Sequence, residues 1–174
     1  MADKHGIQDF YAVAQEREFA RDFQFKVTSL GPFTEKDLIY ITTATLPGKT
    51  VTNITQPYMG LNFNIPGSVV YTGSDAWAIT FRCDEALNIR NRMEAWMTEI
   101  FDAVGGQGGT GKYGVPIQIA TMDLLGKTFE VLRKYSFVGL YPTVLGEQAY
   151  DIQGTGTVVT FPATFAYQFW IQGS

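Results

Sequence analysis

Apolar and polar residues alternate along much of this chain, with the two-residue period of β-strands. The clearest case is the stretch Thr50–Ser74, in which three apolar residues between Leu61 and Ile65 alternate with two asparagines. The first half of the stretch carries Ile54 among Thr, Asn and Gln residues, and residues 57–60 (Pro-Tyr-Met-Gly) suit a turn. We therefore predict an extended β-hairpin arm over residues 50–74.

The same alternation predicts six more strands, at residues 23–28, 38–44, 77–83, 117–124, 129–137 and 157–170. Pro162 lies inside the last of these strands. Because proline cannot donate a hydrogen bond to a β-ladder, we expect a bulge or a sheet edge there. The segment between the last two strands, residues 138–147, is interpreted as a compact turn or a single helical turn.

Two segments show helical spacing instead. Residues 6–20 carry a short helical pattern within an N-terminal arm (residues 1–20), too short to be stable without packing. The pattern of residues 85–104 predicts an amphipathic helix, with Asp84 as its N-cap and Gly105 as its stop. Its apolar stripe is Ile89, Met93, Trp96, Met97, Ile100 and Val104.

Charged residues are missing from two long stretches, residues 50–74 and residues 152–174. Since 17% of the chain is charged, about eight charges are expected there by proportion. Soluble monomers usually protect exposed strand edges with charge. The pattern therefore favours strands that are covered by other copies of the chain. The alternative is a hairpin that is buried in its own domain.

The composition of the 174 residues, of which 45% are hydrophobic, indicates one domain spanning residues 1–174. A net charge of −4 argues against tight binding to nucleic acid, which requires a basic surface. A single cysteine excludes an internal disulfide and fits a reducing cytosol. We find neither a secretory signal nor an apolar run long enough to cross a membrane, so we expect a soluble protein without a membrane anchor.

Catalytic chemistry is sparse. The only histidine is His5, and the only cysteine, Cys83, lies on the apolar face of its strand, where we interpret it as a buried hydrophobe rather than a catalytic thiol. These two residues are too few for a zinc site, and there is no calcium-loop motif. We therefore expect no enzyme activity, no metal and no cofactor.

A near match to a phosphate loop occurs in residues 105–114, with Gly106, Gly111 and Lys112 at the motif spacing. Tyr113 stands where the motif needs Ser or Thr, and the segment follows a helix instead of opening one. We interpret residues 105–114 as a flexible loop.

Several segments together resemble the tail-tube proteins of contractile-tailed, myovirus-type bacteriophages. They are residues 18–31 (EFARDFQFKVTSLG), 43–47 (TATLP), 75–77 with 84–86 and the following helix, and 139–147 before the aromatic strand that ends at Phe169-Trp170. The pattern G-L-Y-P-T-x-x-G-E at residues 139–147 is the most specific of these. Their order and spacing cover nearly the whole chain.

The resemblance implies a mainly β (α+β) fold, in which two packed antiparallel sheets form a sandwich or barrel with one flanking helix. It implies hexameric rings that stack into the rigid inner tail tube, through which phage DNA passes during ejection without specific binding. The implied partners are other copies of the chain, the tail sheath, the baseplate, the tail terminator and a tape-measure protein in the lumen. The implied location is the virion, after assembly in the bacterial host cytoplasm. We also hypothesise that the lumen is neutral or acidic, so that DNA slides.

The residues that we expect at subunit and ring interfaces are Ile54, Tyr58, Met59, Leu61, Phe63 and Ile65 in the arm, and Lys112 and Tyr113 in the loop. The terminus before Ala20 is a further candidate for ring stacking. Two other functions stay open at this point. One is the tube of a related contractile machine, such as a tailocin or a secretion system. The other is a monomeric β-barrel that binds a small apolar ligand.

Overall fold

A computed structural model describes residues 6–102, 107–108 and 118–173. Within these residues, three helices and eleven strands follow one another along the chain. They are α1 (Ile7–Glu16), β1 (Phe25–Leu30), α2 (Glu35–Leu38), β2 (Ile41–Ala44), β3 (Thr50–Tyr58), β4 (Leu61–Val70), β5 (Trp77–Arg82), α3 (Asn88–Ile100), β6 (Phe101–Asp102), β7 (Gln107–Gly108), β8 (Gln118–Leu125), β9 (Val131–Leu145), β10 (Thr160–Ala166) and β11 (Phe169–Gly173).

Seven of these strands form an antiparallel sheet in the order β1-β8-β9-β10-β5-β2, with β11 also paired to β9. The first half of β9 pairs with β8 and β11, and its second half pairs with β10. This strand of 15 residues therefore belongs to two halves of the sheet that pack against each other. The predicted mainly β fold is confirmed as a sandwich with one flanking helix. The described strands do not close into a barrel.

Residues 138–147 continue strand β9 for most of their length, so the predicted turn is wrong. Gly139 has φ +74°, and a Cβ there would lie 2.6 Å from Cγ of Gln168. Pro142 pairs with Phe165 across a register shift. Glycine and proline bend this strand where the two halves of the sheet meet, and the same residue types also make turns. A bend in a strand was therefore taken for its end.

We expected a bulge or a sheet edge at Pro162, but β10 as a whole is not an edge strand, because it lies between β9 and β5. The bulge lies two residues further on, between Thr164 and Phe165. At Pro162 the ladder with β9 has ended, and the backbone N–H of Gly146 donates to the Pro162 carbonyl at 2.7 Å. Proline has no N–H to return to Gly146, whose carbonyl instead accepts from Nη1 of Arg90 at 3.2 Å.

Several predicted boundaries move. The strand predicted over 38–44 begins at Ile41, because Leu38 ends the short helix α2. The N-terminal helix ends at Glu16, and the strand predicted over 157–170 is divided into β10 and β11.

Cys83 lies beyond β5, is only half-buried, and accepts a hydrogen bond from Nε2 of Gln148 at 3.1 Å. It is therefore not the fully buried hydrophobe that we predicted.

Helix α3 begins at Asn88, three residues later than predicted, and ends at Ile100. The role of Asp84 is confirmed, since its carboxylate accepts from the backbone N–H groups of Asn88 and Ile89 at 3.0 and 3.3 Å. These N–H groups have no partner inside the helix. The predicted residues Val104 and Gly105 lie outside the described residues.

Aromatic side chains fill the core between the two halves of the sheet. Trp77 of β5 stacks on Phe137 of β9 with ring centroids 4.3 Å apart. Ile89, Met93 and Trp96 of the predicted helical stripe are buried against this core, and Met97 and Ile100 are partly buried against it. Helix α3 is thereby fixed to the sandwich through its apolar face.

Candidate assembly surface on the hairpin arm

The predicted arm is present as a two-stranded sheet of its own. Among the described residues, β3 and β4 pair with each other and with no strand of the seven-stranded sheet. They are joined by Met59 and Gly60, whose φ angles are +50° and +80°. Positive φ at both positions is typical of a type I′ turn, whose twist matches that of the flanking strands. The turn is therefore the last two residues of the predicted four-residue break.

The register of the arm gathers the predicted contact residues on one face. Tyr58 pairs with Leu61, and Ile54 pairs with Ile65. Phe63, on the same face, pairs with Gln56. The five apolar side chains of this face are between 47% and 66% exposed, and Met59 at the tip is 85% exposed. We call these six residues, Ile54, Tyr58, Met59, Leu61, Phe63 and Ile65, the apolar face of the arm.

The opposite face of the arm is polar but uncharged. Here Thr55 pairs with Asn64 and Pro57 pairs with Asn62. The Thr55 hydroxyl donates to Oδ1 of Asn64 at 3.2 Å. An exposed two-stranded ribbon is at best marginally stable in water. A partner that covers the apolar face would stabilise this ribbon, and no charge on either face opposes such contact.

The root of the arm is attached to the sandwich through Trp170 of β11. The ammonium group of Lys49 lies 5.2 Å from the centroid of the Trp170 ring, and the Tyr71 ring packs against its edge at 5.9 Å. The hydroxyls of Thr50 and Thr72 are 2.9 Å apart where the two strands begin and end. These contacts hold the base of the arm, while its outer half extends into solvent.

The other predicted contact segments are less fully described. Lys112 and Tyr113 lie outside the described residues. Of the predicted loop, residues 105–114, the structure describes only β7. Helix α1 has no buried residue. Phe10 of α1 stacks on Phe19 at 5.9 Å, and the carboxylate of Glu18 pairs with the ammonium of Lys127 at 2.6 Å. Ile7, Phe10 and Phe19 are exposed, so the N-terminal segment also presents apolar surface.

Sequence reasoning did not identify a second apolar surface on β11. Ile119, Val138 and Phe169 lie in one register row across β8, β9 and β11. Ile119 and Phe169 are exposed, as is Ile171 of β11. The charge-free stretch of residues 152–174 signalled such a surface, but only the strand pairing shows which side chains share it.

The described residues offer little for chemistry. They contain no group of three or more His, Cys, Asp or Glu side chains that could hold a metal ion. Of the two buried acids, Asp37 lies 3.4 Å from Nε of Arg92. Asp123 lies opposite Lys26 and Lys134 in the strand register, and its Oδ1 has no hydrogen-bond partner within the described residues. No helix in the described part of the chain is long and apolar enough to cross a membrane.

The sequence is similar to known proteins over nearly its whole length. A family model described as "Phage tail tube protein" matches residues 11–172. The tail tube protein gp19 of Enterobacteria phage T4 is 26% identical over 173 residues, which cover 94% of this chain and 98% of that protein.

Two solved structures share the fold. One is the tube-terminating cap of the anti-feeding prophage, with a TM-score of 0.63 and 17% identity over 91% of this chain and 93% of that chain. The other is the sheath/tube terminator of the extracellular contractile injection system PVC in its extended state. Its TM-score is 0.63, with 15% identity over 91% of this chain and 99% of that chain.

Proposed function

Because this chain belongs to the phage tail tube protein family, we propose that it is the structural subunit of the inner tube of a contractile phage tail. Six copies form a ring, rings stack into a hollow tube, and DNA passes through the tube during ejection. The observation that carries this proposal is the uncharged arm, whose apolar face is exposed in the single chain. Assembly supplies the cover that this face lacks.

Assembly also accounts for the free edges of the sandwich. Within the described residues, β1 and β2 end the strand order of the seven-stranded sheet, and β11 has one partner strand. An unprotected strand edge pairs readily with another chain. When one surface of a subunit contacts a different surface of the next, the contacts close into a ring if the rotation between subunits allows it, and otherwise they build an open filament. The arm and the strand edges provide such pairs of different surfaces.

The proposed partners follow from a tube of this kind. They are the tail sheath around it, the baseplate and tail terminator at its ends, and a tape-measure protein in its lumen. The protein would reside in the virion after assembly in the host cytoplasm, and it needs no catalytic activity or cofactor. The net charge of −4 suits a conduit in which DNA slides, because phosphates are not attracted to it. A cryo-EM map with a ring of Lys and Arg lining the channel would contradict this last point.

A related contractile injection machine is the second candidate function. It is favoured by the likeness of the fold to the anti-feeding prophage cap and the PVC terminator. Capsid and terminase genes beside the gene for this protein would support the phage, and their absence would support the other machine. A ligand-binding β-barrel gains no support, since the described strands do not close around an interior.

The interface role of the arm is tested by placing a charge on its apolar face. Phe63 is 51% exposed, so covering the rest of a side chain of this size removes about 100 Å² from water. At about 25 cal/mol per Å², losing that contact costs about 2.5 kcal/mol, or roughly a 70-fold weaker contact. We therefore expect Phe63→Asp, or a charge at Leu61, to block polymerisation in sedimentation assays while the monomer stays folded by circular dichroism.

Asn62→Asp is the matched control. It adds the same charge to the next residue, which lies on the polar face and pairs with Pro57. We expect this variant to polymerise like the wild type. Intact tubes from Phe63→Asp, or equal loss of assembly in both variants, would show that the apolar face of the arm is not an interface.

A further inference from the structure

A buried acid, Asp123, lies in the middle of a row of three charges that crosses the seven-stranded sheet. Asp123 of β8 pairs with Lys26 of β1 on one side and with Lys134 of β9 on the other. It is 4% exposed and its Oδ1 has no hydrogen-bond partner within the described residues, whereas both lysines are exposed. Moving a carboxylate out of water is unfavourable unless positive charge compensates it. We call Lys26, Asp123 and Lys134 the charged row.

The apolar pattern of β1 does not select one register for this strand. A slip by two residues keeps every side chain on its own face of the sheet. Val27 lies opposite Met122 in the structure, and after such a slip it would lie opposite Ala120 or Leu124. Both of these residues also belong to the core side of β8. Because β1 ends the strand order of the described sheet, its position along the sheet depends on its pairing with β8.

The charged row distinguishes between these registers. The same two slips would place Gln24 or Thr28 opposite Asp123 in the place of Lys26. Residues that lie directly opposite each other on antiparallel strands have Cβ atoms about 4.5 to 5.5 Å apart, and opposite charges at such positions stabilise the pairing. In either slipped register the buried carboxylate would therefore keep only one of its two positive neighbours.

A bulge in β1 is the second feature that acts on the register. The pairing shifts by one residue between Val27 and Ser29, and the hydroxyl of Thr28 donates to the carbonyl of Thr121 at 3.4 Å. This distance is long for a hydrogen bond between two oxygen atoms, for which about 2.8 Å is usual. The bulge is therefore a weak restraint, and a further one is needed to hold β1 in a single register.

We propose that the charged row sets the register of β1 against β8, and that this is the role of the buried Asp123. The carboxylate does not make the sheet more stable than an uncharged side chain would. It makes the slipped registers less favourable than the native one. A single buried polar group can specify a register in this way at some cost in stability.

Disulfide trapping in a Cys83→Ser background measures the register. Ser29 pairs with Thr121, and Ile119 lies two residues further along the same face of β8. Diagonal positions of this kind are about 7 to 8 Å apart, which is too far for a disulfide without movement of the backbone. Ser29→Cys with Thr121→Cys therefore reports the native register. Ser29→Cys with Ile119→Cys reports the slipped register in which Gln24 faces Asp123.

Removing the charge of Asp123 should release the register without weakening the fold. In dilute protein, we expect Asp123→Asn to raise the oxidation rate of the slipped pair about fivefold, the equivalent of about 1 kcal/mol for one pair of opposite charges. The free energy of unfolding should not fall. Lys26→Met should release the slipped pair to a similar extent. Lys36→Met is the matched control, because it removes an exposed lysine from α2, outside the charged row, and should oxidise like the parent.

Reversal of the whole row separates its charge pattern from any other effect of these side chains. Lys26→Asp alone should increase slipping more than Lys26→Met, because two acids would then lie opposite each other. The triple variant Lys26→Asp, Asp123→Lys and Lys134→Asp restores alternating charges and should return the slipped pair towards its parent rate.

The proposal is wrong if the slipped pair oxidises no faster in Asp123→Asn and Lys26→Met than in the parent. The register would then be set by the apolar face and the bulge alone. A fall in stability without slipping in these variants would equally overturn it. If circular dichroism shows that Asp123→Asn does not fold, Lys26→Met decides, since its side chain is exposed. All of these readouts come from single chains, so they do not depend on assembly into a tube.

Discussion

Replacing Gly31 by alanine should destabilise the sandwich by inserting a methyl group against Trp96. Gly31 follows β1 and has φ +47°. A Cβ at this position would lie 2.6 Å from Cη2 and 2.7 Å from Cζ3 of Trp96, closer than carbon atoms approach without displacement. The indole is buried and packs near Phe33 and Phe165, with ring centroids 6.5 and 5.9 Å away. It therefore has little room to retreat.

Two costs add up in this variant. A residue with a Cβ in the left-handed region costs about 1 to 2 kcal/mol. Forcing a methyl group into a packed core costs about 1 to 3 kcal/mol more. We expect Gly31→Ala to lower the free energy of unfolding by about 2 to 5 kcal/mol. Urea denaturation, followed by tryptophan fluorescence, measures this difference.

Gly73→Ala is the matched control, because Gly73 has φ +76° and no heavy atom within 4 Å of an added Cβ. It should show only the backbone cost of about 1 to 2 kcal/mol. The difference between the two variants then isolates the contact with Trp96. If Gly31→Ala is no less stable than Gly73→Ala, helix α3 is not packed against the end of β1 as described.

Two further predictions concern the ends of α3 and β9. Burial raises the pKa of Asp84, but hydrogen bonds at the start of α3 outweigh this effect and lower the pKa overall. The Asp84 carboxylate therefore stabilises the fold above the unfolded pKa near 4, and this stabilisation is lost as the pH falls through the folded pKa. Asp84→Ala should therefore cost about 1 kcal/mol in urea melts at pH 7 and less in acid, and a difference that grows in acid would refute the assignment. Arg90→Ala should cost about 1 kcal/mol, because the Gly146 carbonyl loses its donor. Glu94→Ala, which removes only the exposed ion pair with Arg90, should cost less than about 0.5 kcal/mol, and equal losses would contradict the role of the carbonyl contact.

The arm could be predicted closely because its signal is local. Alternation fixes which residues share a face of a strand, and the Met59-Gly60 pair fixes the turn. The paired register then follows from the turn, so the arm residues named from sequence share one face in the structure. Their role at an interface stays a prediction. The stripe of α3 was predicted for the same reason, since its spacing depends only on helical geometry. The helix start was placed too early because the side chain of Asp84 reaches N–H groups four and five residues ahead.

The errors have a common physical cause, which is that tertiary pairing decides between local alternatives. Residues 138–147 contain Gly139 and Pro142, which suit a turn as well as a bent strand. Pairing with β10 and β11 selects the strand. A cleft of about 750 Å³ between β1 and β2 could not be predicted either, because these strands become its walls only after β8 and β5 hold them at the two ends of the sheet.

Negative-stain electron microscopy of the purified protein, concentrated and aged, tests self-assembly into a tube most directly. We predict hollow rods or stacked rings of uniform diameter, which form spontaneously or extend from added baseplates. Small featureless particles that persist in the presence of baseplates would contradict assembly into a tube.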